Sequence, residues 1–220
     1  MKKIIIFGTG DFGRVVHFYL THDSPYQIAA FTANKWSIKE KELFGLPVVP
    51  FETIESVYSP DEFLMFVAVG YLKMNKVRAQ ICHEAKEKGY ELLTYVNSKV
   101  TKWGELDIGE NCFIFENVVI QPFVKIGNNV IMWSGNHIGH HSIIGDHCFI
   151  TSHVVVSGNV KIGPYCFLGV NSTIRDGITI APECVIGAGS LILEDTKERG
   201  VYTSEKAKML PITSDMLKHL

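Results

Sequence analysis

Stepping by six from Ile108, the chain meets Ile, Val, Leu or Met fifteen times in succession, ending at Ile192. With about half of residues apolar, such a run in fixed phase arises by chance roughly once in 30,000 trials. A second column, four residues further on in each hexad, holds mostly small or β-branched residues, among them Cys112, Val118, Val124, Val130, Cys148 and Val154. Glycine often follows the aliphatic position, as at Gly109, Gly127, Gly139, Gly145, Gly163, Gly169 and Gly187. Each hexad supplies a short flat strand and a turn, and three hexads close one triangular coil with both columns pointing inward. Stacked coils bury a continuous prism of about five coils, roughly 24 Å tall at the spacing of paired strands. The glycines are expected at tight corners that need unusual backbone angles.

No insertion breaks the phase between Ile108 and Thr196. The expected fold of this half is an all-β left-handed parallel β-helix. Cys112, Cys148, Cys166 and Cys184 share one hexad position, with separations of 36, 18 and 18 residues. They are expected to stack inside the prism as buried free thiols, because five cysteines without a Cys-x-x-Cys pair make neither a disulfide framework nor a zinc knuckle.

The first half reads differently. Residues 3–7 form an apolar strand, Gly8-Thr9-Gly10-Asp11-Phe12-Gly13 a turn, and a helix continues to about Leu20. A second strand is expected over 27–32, a short helix near 51–57, a strand from Phe63 to Val69, and a helix over 74–89 closed by Gly89. Alternating strands and helices imply a small Rossmann-like α/β domain with about three parallel strands. Its G-x-G-x-x-G turn would present main-chain N–H groups and a helix N-terminus to a phosphate. A dinucleotide site wants an acidic residue after the second strand, where this chain has Phe31-Thr32-Ala33-Asn34. A nucleotide-sugar diphosphate is therefore the favoured ligand, with a purely structural turn as the alternative. The expected division is 1–97 for the Rossmann-like domain, 98–198 for the β-helix and 199–220 for a tail. In the tail, Lys206 and Lys208 are read as solvated charges.

The chain has 220 residues, is 46% hydrophobic and carries a formal net charge of −2, which attracts neither nucleic acid nor an anionic membrane. The apolar run Ile4–Phe7 is too short for a signal peptide, and no stretch approaches the roughly 18–20 apolar residues of a spanning helix, so a cytoplasmic protein is expected.

Three motifs carry a resemblance: the GTGDFG turn; Ile138-Gly139-His140-His141-Ser142-Ile143-Ile144-Gly145; and Gly158-Asn159-Val160-Lys161-Ile162-Gly163 followed by Cys166-Phe167-Leu168-Gly169-Val170-Asn171-Ser172. Together they resemble the bacterial sugar acetyltransferases of the PglD/NeuD type over nearly the whole chain. The resemblance implies a homotrimer with acetyl-CoA between neighbouring prisms and no metal, acting on a nucleotide-linked amino sugar held by the N-terminal domain. It implies His140 as general base, with His141 standing where an acidic neighbour often follows. A second histidine of the family falls at Phe149, so its role is either missing or supplied elsewhere, by His147 or His153. Gly10, Asp11 and Phe12 would hold the nucleotide sugar. Val170 and Ala188 would give main-chain contacts to the pantetheine arm, and Gly158 would lie beside the thioester.

Thioester acyl transfer needs a base for the amine, donors for the oxyanion and two reactants held close. A neutral histidine and main-chain N–H groups can supply the first two without a protein nucleophile. The implied activity is therefore N-acetylation of a nucleotide-linked amino sugar. The alternatives are O-acetylation of a sugar of the sialic acid type and a non-catalytic nucleotide-sugar-binding protein. A zinc lyase like the γ-type carbonic anhydrases is disfavoured, because no histidine lies two coils from the cluster His137, His140, His141, His147 and His153. Trp133 is expected to face outward and pack across a trimer interface.

Overall fold

The computed structural model describes residues 3–209, 211, 212 and 214–216; of the expected tail, residues 210, 213 and 217–220 lie outside the described residues. The N-terminal sheet holds β1 (Lys3–Phe7), β2 (Ile28–Ala33), β3 (Glu42–Leu43), β4 (Leu46–Pro50) and β5 (Phe63–Val67), in the order β3-β4-β2-β1-β5. Helix α1 (Asp11–His22) follows β1, and α2 (Lys76–Glu87) follows β5. The sheet has one more parallel strand than expected, because Leu46–Pro50 pairs with β2 before the chain enters a 3₁₀ turn at Phe51–Ser56. The strand–turn–helix at the start is set by close contact: a Cβ on Gly13 would lie 2.0 Å from the Gly8 carbonyl oxygen. That glycine lets α1 begin directly against β1.

The second half is a three-sided prism built of two-residue strands in parallel sheets of seven, six and five. The first face runs from Tyr95–Val96 to Val201–Tyr202, the second from Thr101–Lys102 to Leu191–Ile192, and the third from Asp107–Ile108 to Thr179–Ile180. Residues pair with those eighteen further on, as Ile126 does with Ile144 and Ile144 with Ile162. The inward aliphatic column and the four cysteines form one continuous buried core. The out-of-phase tail still adds a last rung, because Val201–Tyr202 pairs with Val185–Ile186 and Tyr202 packs against the core.

The glycine expectation needs correcting. None of Gly109, Gly127, Gly139, Gly145, Gly163, Gly169 and Gly187 has left-handed backbone. They are required by close approach of the next coil: a Cβ on Gly163 would lie 2.6 Å from Pro182 N, and one on Gly139 would lie 2.4 Å from Ser157 C. The left-handed residue comes two positions later, at Asn111, Asn117, Phe123, Asn129, His141, His147, His153 and onward, with φ between 52° and 67° across these seven. Asparagine recurs in this column because it tolerates that conformation better than most residues.

Outward residues of the first face carry the N-terminal domain. Tyr95, Phe113, Ile131 and Phe149 are buried in one cluster with Ile4, Val16, Leu20 and Phe66. Trp133 joins them, stacked on Phe115 at 4.5 Å and 6.2 Å from Phe12, so within the chain it packs against its own N-terminal domain.

The two corner columns should respond oppositely to substitution. Gly163→Ala should lower stability by about 1–3 kcal/mol through overpacking. Asn171→Gly, at an exposed left-handed position, should stay within about 0.5 kcal/mol of wild type. Denaturant melts of the two variants check this.

Candidate functional site

Three corners join the faces, and they sort the expected site residues. The corner between the second and third faces carries His140 and His141. His140 Nδ1 lies 3.1 Å from His141 Nδ1, close enough for a shared hydrogen bond whose direction depends on the tautomers. The preceding coil anchors both residues: the His140 main-chain N–H donates to Gln121 Oε1 at 2.9 Å, the His141 N–H donates to Pro122 O at 3.2 Å, and the Phe123 ring lies 4.6 Å from the His141 ring. The next coil brings Gly158 under the imidazole. A Cβ there would lie 2.7 Å from both Cε1 and Nε2 of His140, so only glycine lets the ring lie on the main chain at that level. Both histidines are exposed.

The corner between the first and second faces carries Val170 and Ala188, neighbours on successive coils: the Gly189 N–H donates to Val170 O at 2.8 Å. His153 lies on the same corner, its ring where a Cβ on Gly135 would stand. Phe12 reaches this edge through Trp133. Gly10 caps α1 in extended backbone, Asp11 opens its first turn, and both line a crevice of about 260 Å³ with Thr9, Arg14 and Lys39.

The expected residues therefore form two groups. His140, His141 and Gly158 come together at one edge of the second face; Val170 and Ala188 border the other, which Phe12 approaches through Trp133, while Gly10 and Asp11 lie in the crevice of the N-terminal domain. His147 belongs to the third corner, where its Nδ1 bonds to Asn129 Nδ2 at 2.9 Å and its ring packs 4.6 Å from Tyr165. Burial lowers its pKa, Asp146 opposes that, and Arg78 adds to it. Phe149 is buried beneath the N-terminal domain and touches Tyr71 and Phe167. The five clustered histidines are thus spread over one face and three corners, and among the described residues no three His, Cys, Asp or Glu side chains are placed to hold a metal ion.

Scanned against protein-family models, residues 3–85 match the PglD N-terminal domain, and residues 107–140 and 159–194 match the bacterial transferase hexapeptide (six repeats). The chain thus joins a PglD-type N-terminal domain to bacterial transferase hexapeptide repeats. A search of curated proteins by sequence finds no match. Among solved structures, PerB from Caulobacter crescentus, in complex with CoA and GDP-perosamine, is similar with a TM-score of 0.82 and 22% identity, covering 93% of this chain and 95% of that one. The acetyltransferase domain of PglB from Neisseria gonorrhoeae gives 0.80 and 24%, covering 96% and 100%. WeeI from Acinetobacter baumannii gives 0.76 and 19%, covering 92% and 96%. At these identities the likeness establishes a shared two-part fold along nearly the full length.

Within the hexapeptide prism the cysteines take no part at the surface. Cys112, Cys148, Cys166 and Cys184 are fully buried, and each thiol donates to a main-chain carbonyl at 3.1–3.2 Å. Burial pushes the Cys112 thiol up to about 12 and Cys148 well above its ordinary value.

Sequence reasoning missed the seam between the two halves. Its apolar signal is an eighteen-residue beat within the six-residue one: Tyr95, Phe113, Ile131, Phe149 and Phe167 each precede an inward residue. Its polar centre is Arg78, fully buried on the same stripe of α2 as Ile81, Cys82 and Ala85. A cation at a core position of an amphipathic helix was the available signal. Burial lowers the Arg78 pKa to about 10, leaving the guanidinium charged at neutral pH.

The edge beside Phe12 is held by Glu116, which accepts from Tyr19 Oη and Ser134 Oγ, both at 2.7 Å. Burial works against this carboxylate, and the bonds from Ser134 and Tyr19 outweigh it, holding its pKa below the ordinary glutamate value. Its stabilisation is therefore present above the unfolded value of about 4.3 and is lost as pH falls through the lower folded value. Glu116→Gln should melt below wild type at pH 7, and the gap should narrow as pH falls from about 5 towards 3. Thermal melts across that range test it; a constant gap would show that the carboxylate charge contributes nothing.

Proposed function

We propose that this transferase N-acetylates a nucleotide-linked amino sugar with acetyl-CoA. The observation carrying this reading is the exposed His140–His141 pair, with His140 lying on Gly158, in a chain that joins a phosphate-cradling turn to transferase hexapeptide repeats. PerB, bound to CoA and GDP-perosamine, shows a similar two-part fold handling such a pair of ligands.

The amine nitrogen attacks the thioester carbonyl carbon, and its proton passes to Nε2 of His140. Collapse of the tetrahedral oxyanion breaks the C–S bond, and His140 returns the proton to the leaving thiolate. Amide and free CoA thiol result. This requires His140 to donate Nδ1–H to His141 Nδ1, which leaves a lone pair on Nε2. His141 thereby fixes the tautomer, the part an acidic neighbour would otherwise play. Main-chain N–H groups of the corner, Gly158 foremost, would face the developing oxyanion. Gly10, Asp11 and Phe12 would hold the nucleotide sugar, and Val170 and Ala188 the pantetheine arm.

The separation of the two groups supports a homotrimer in this reading. Outward residues of the second face between them are Thr101, Val119, His137, Val155, Thr173 and Leu191, without Asp, Glu, Lys or Arg, and Leu191 is 62% exposed. The third face instead presents Asp107, Lys125 and Lys161. Turning the second face towards a threefold axis brings the Val170 edge of one copy to the His140 edge of the next. The reaction would draw on a cytoplasmic nucleotide-sugar pool; among the described residues no helix is long and apolar enough to cross a membrane.

Thiol release from acetyl-CoA with a panel of UDP-, GDP- and dTDP-amino sugars tests the reaction. His140→Ala should lower kcat by about 10²–10⁴-fold; turnover surviving in that variant rejects His140 as the base. Mixed trimers test the shared site. Equal amounts of His140→Ala and Gly10→Arg subunits, each inactive alone, should recover about a quarter of wild-type turnover when reassembled. Recovery of none would place both groups of residues in one subunit's site.

A further inference from the structure

We propose that Arg78 is a positioning residue for the acceptor substrate: its guanidinium holds segment 69–75 as a fixed wall of the crevice at the carboxyl ends of β1 and β5. This rests on the acceptor role proposed for the N-terminal domain. In the order β3-β4-β2-β1-β5 the chain winds outward from β1 through β2, then returns to β5 on the other side of β1. Open α/β sheets take ligands where the winding reverses, outside the carboxyl ends of the strands. There the two strand ends touch: the Ala68 N–H donates to Phe7 O at 2.8 Å, and a Cβ on Gly8 would lie 2.5 Å from Ala68 O. The GTGDFG turn leaves one of these strand ends, and the chain after Ala68 leaves the other.

That wall has a costly shape. Lys73, Met74 and Asn75 adopt left-handed backbone in succession, with φ of 49°, 54° and 63°, and none is glycine. Such a run persists only where its surroundings impose it. Arg78 Nη1 donates to Gly70 O at 2.9 Å, to Val69 O at 3.4 Å and to Asn75 Oδ1 at 3.2 Å. The rest of the same group reaches the prism: Nε donates to Asn129 Oδ1 at 2.8 Å, and Nη2 to Asn129 O, His147 O and Cys148 O at 3.1–3.2 Å. Asn75 Nδ2 adds a bond to Cys166 O at 3.2 Å, and the Tyr71 ring lies 5.0 Å from Phe167.

None of the acceptors on Arg78 carries a charge. Its work is geometric: one planar fork bonds the wall and two successive coils at once, which a lysine point charge cannot do. Its charge, uncompensated by any of these partners, also favours an anionic diphosphate in the crevice.

Arg78→Lys keeps the charge and loses the fork. Asn75→Gly keeps the left-handed backbone and loses the side-chain bonds. In Arg78→Lys, amides of 68–76 should exchange faster than in wild type, while those of 138–146 stay unchanged. Both variants should bind the nucleoside diphosphate preferred by wild type (UDP, GDP or dTDP, by calorimetry) at least about tenfold more weakly, with the KM for acetyl-CoA within about twofold. Unchanged exchange or unchanged diphosphate affinity in a folded variant overturns the proposal, as does a parallel loss for acetyl-CoA. If Arg78→Lys does not fold, Asn75→Gly decides by the same readouts. A wild type that binds a diphosphate but releases no thiol with any amino sugar defeats the proposed reaction, while diphosphate affinity and exchange still decide the role of Arg78. A wild type that binds none of the three defeats the positioning role as well.

Discussion

The structure depends on the vertical register of the prism, in which each residue lies over the one eighteen further along. Main-chain bonds enforce it at every level: Gly127 N–H to Ile144 O, Gly145 N–H to Ile162 O and Gly163 N–H to Ile180 O are each 2.8 Å. The aliphatic column beneath those bonds excludes water and makes any slip costly, because a shifted strand would expose its inward residue. Once that register holds, every corner residue has a fixed neighbour above and below. His140 lies on Gly158, His153 on Gly135, and His141 above Phe123, without any specific bond having to select the pairing.

The seam to the N-terminal domain adds a second constraint of a different kind. Its aromatic part, Phe113, Phe149 and their neighbours, is non-directional and would tolerate some sliding. The polar part would not. Asn111 mimics a strand against Val67, accepting from its N–H at 2.8 Å and donating to its carbonyl at 3.3 Å, and it also donates to Asn129 at 2.9 Å. Arg78 then bonds to Asn129. Burying a cation without a charged partner is unfavourable unless its N–H groups are satisfied, so this network sets one orientation of the two halves and penalises the rest.

The candidate site residues are consequently divided along edges. A face whose outward residues include no Asp, Glu, Lys or Arg separates the histidine edge from the edge that Phe12 approaches through Trp133. Local geometry prepares the histidine side in advance. The left-handed turn at His141, the Gln121 bond to His140 and the bare surface of Gly158 hold the imidazole without a carboxylate. The thiols, by contrast, are inward and bonded to carbonyls, which keeps them away from acyl chemistry.

The hexad beat alone determined the prism, its inward columns, the buried cysteine ladder and the corner placement of His140, because these follow from a period repeated over short sequence distances. The GTGDFG turn was legible for the same reason, since Gly8 and Gly13 meet within six residues. Only the tertiary structure decided matters that join distant segments. It showed that Gly163 is required by Pro182 and not by its own backbone angles, that Trp133 lies under Phe12, that Phe149 is sealed beneath the N-terminal domain, and that Arg78 on α2 bonds to His147 and Cys148. Those outcomes depend on which coil stands next to which helix, and burial and hydrogen bonding across that distance leave no periodic trace in one chain's order of residues.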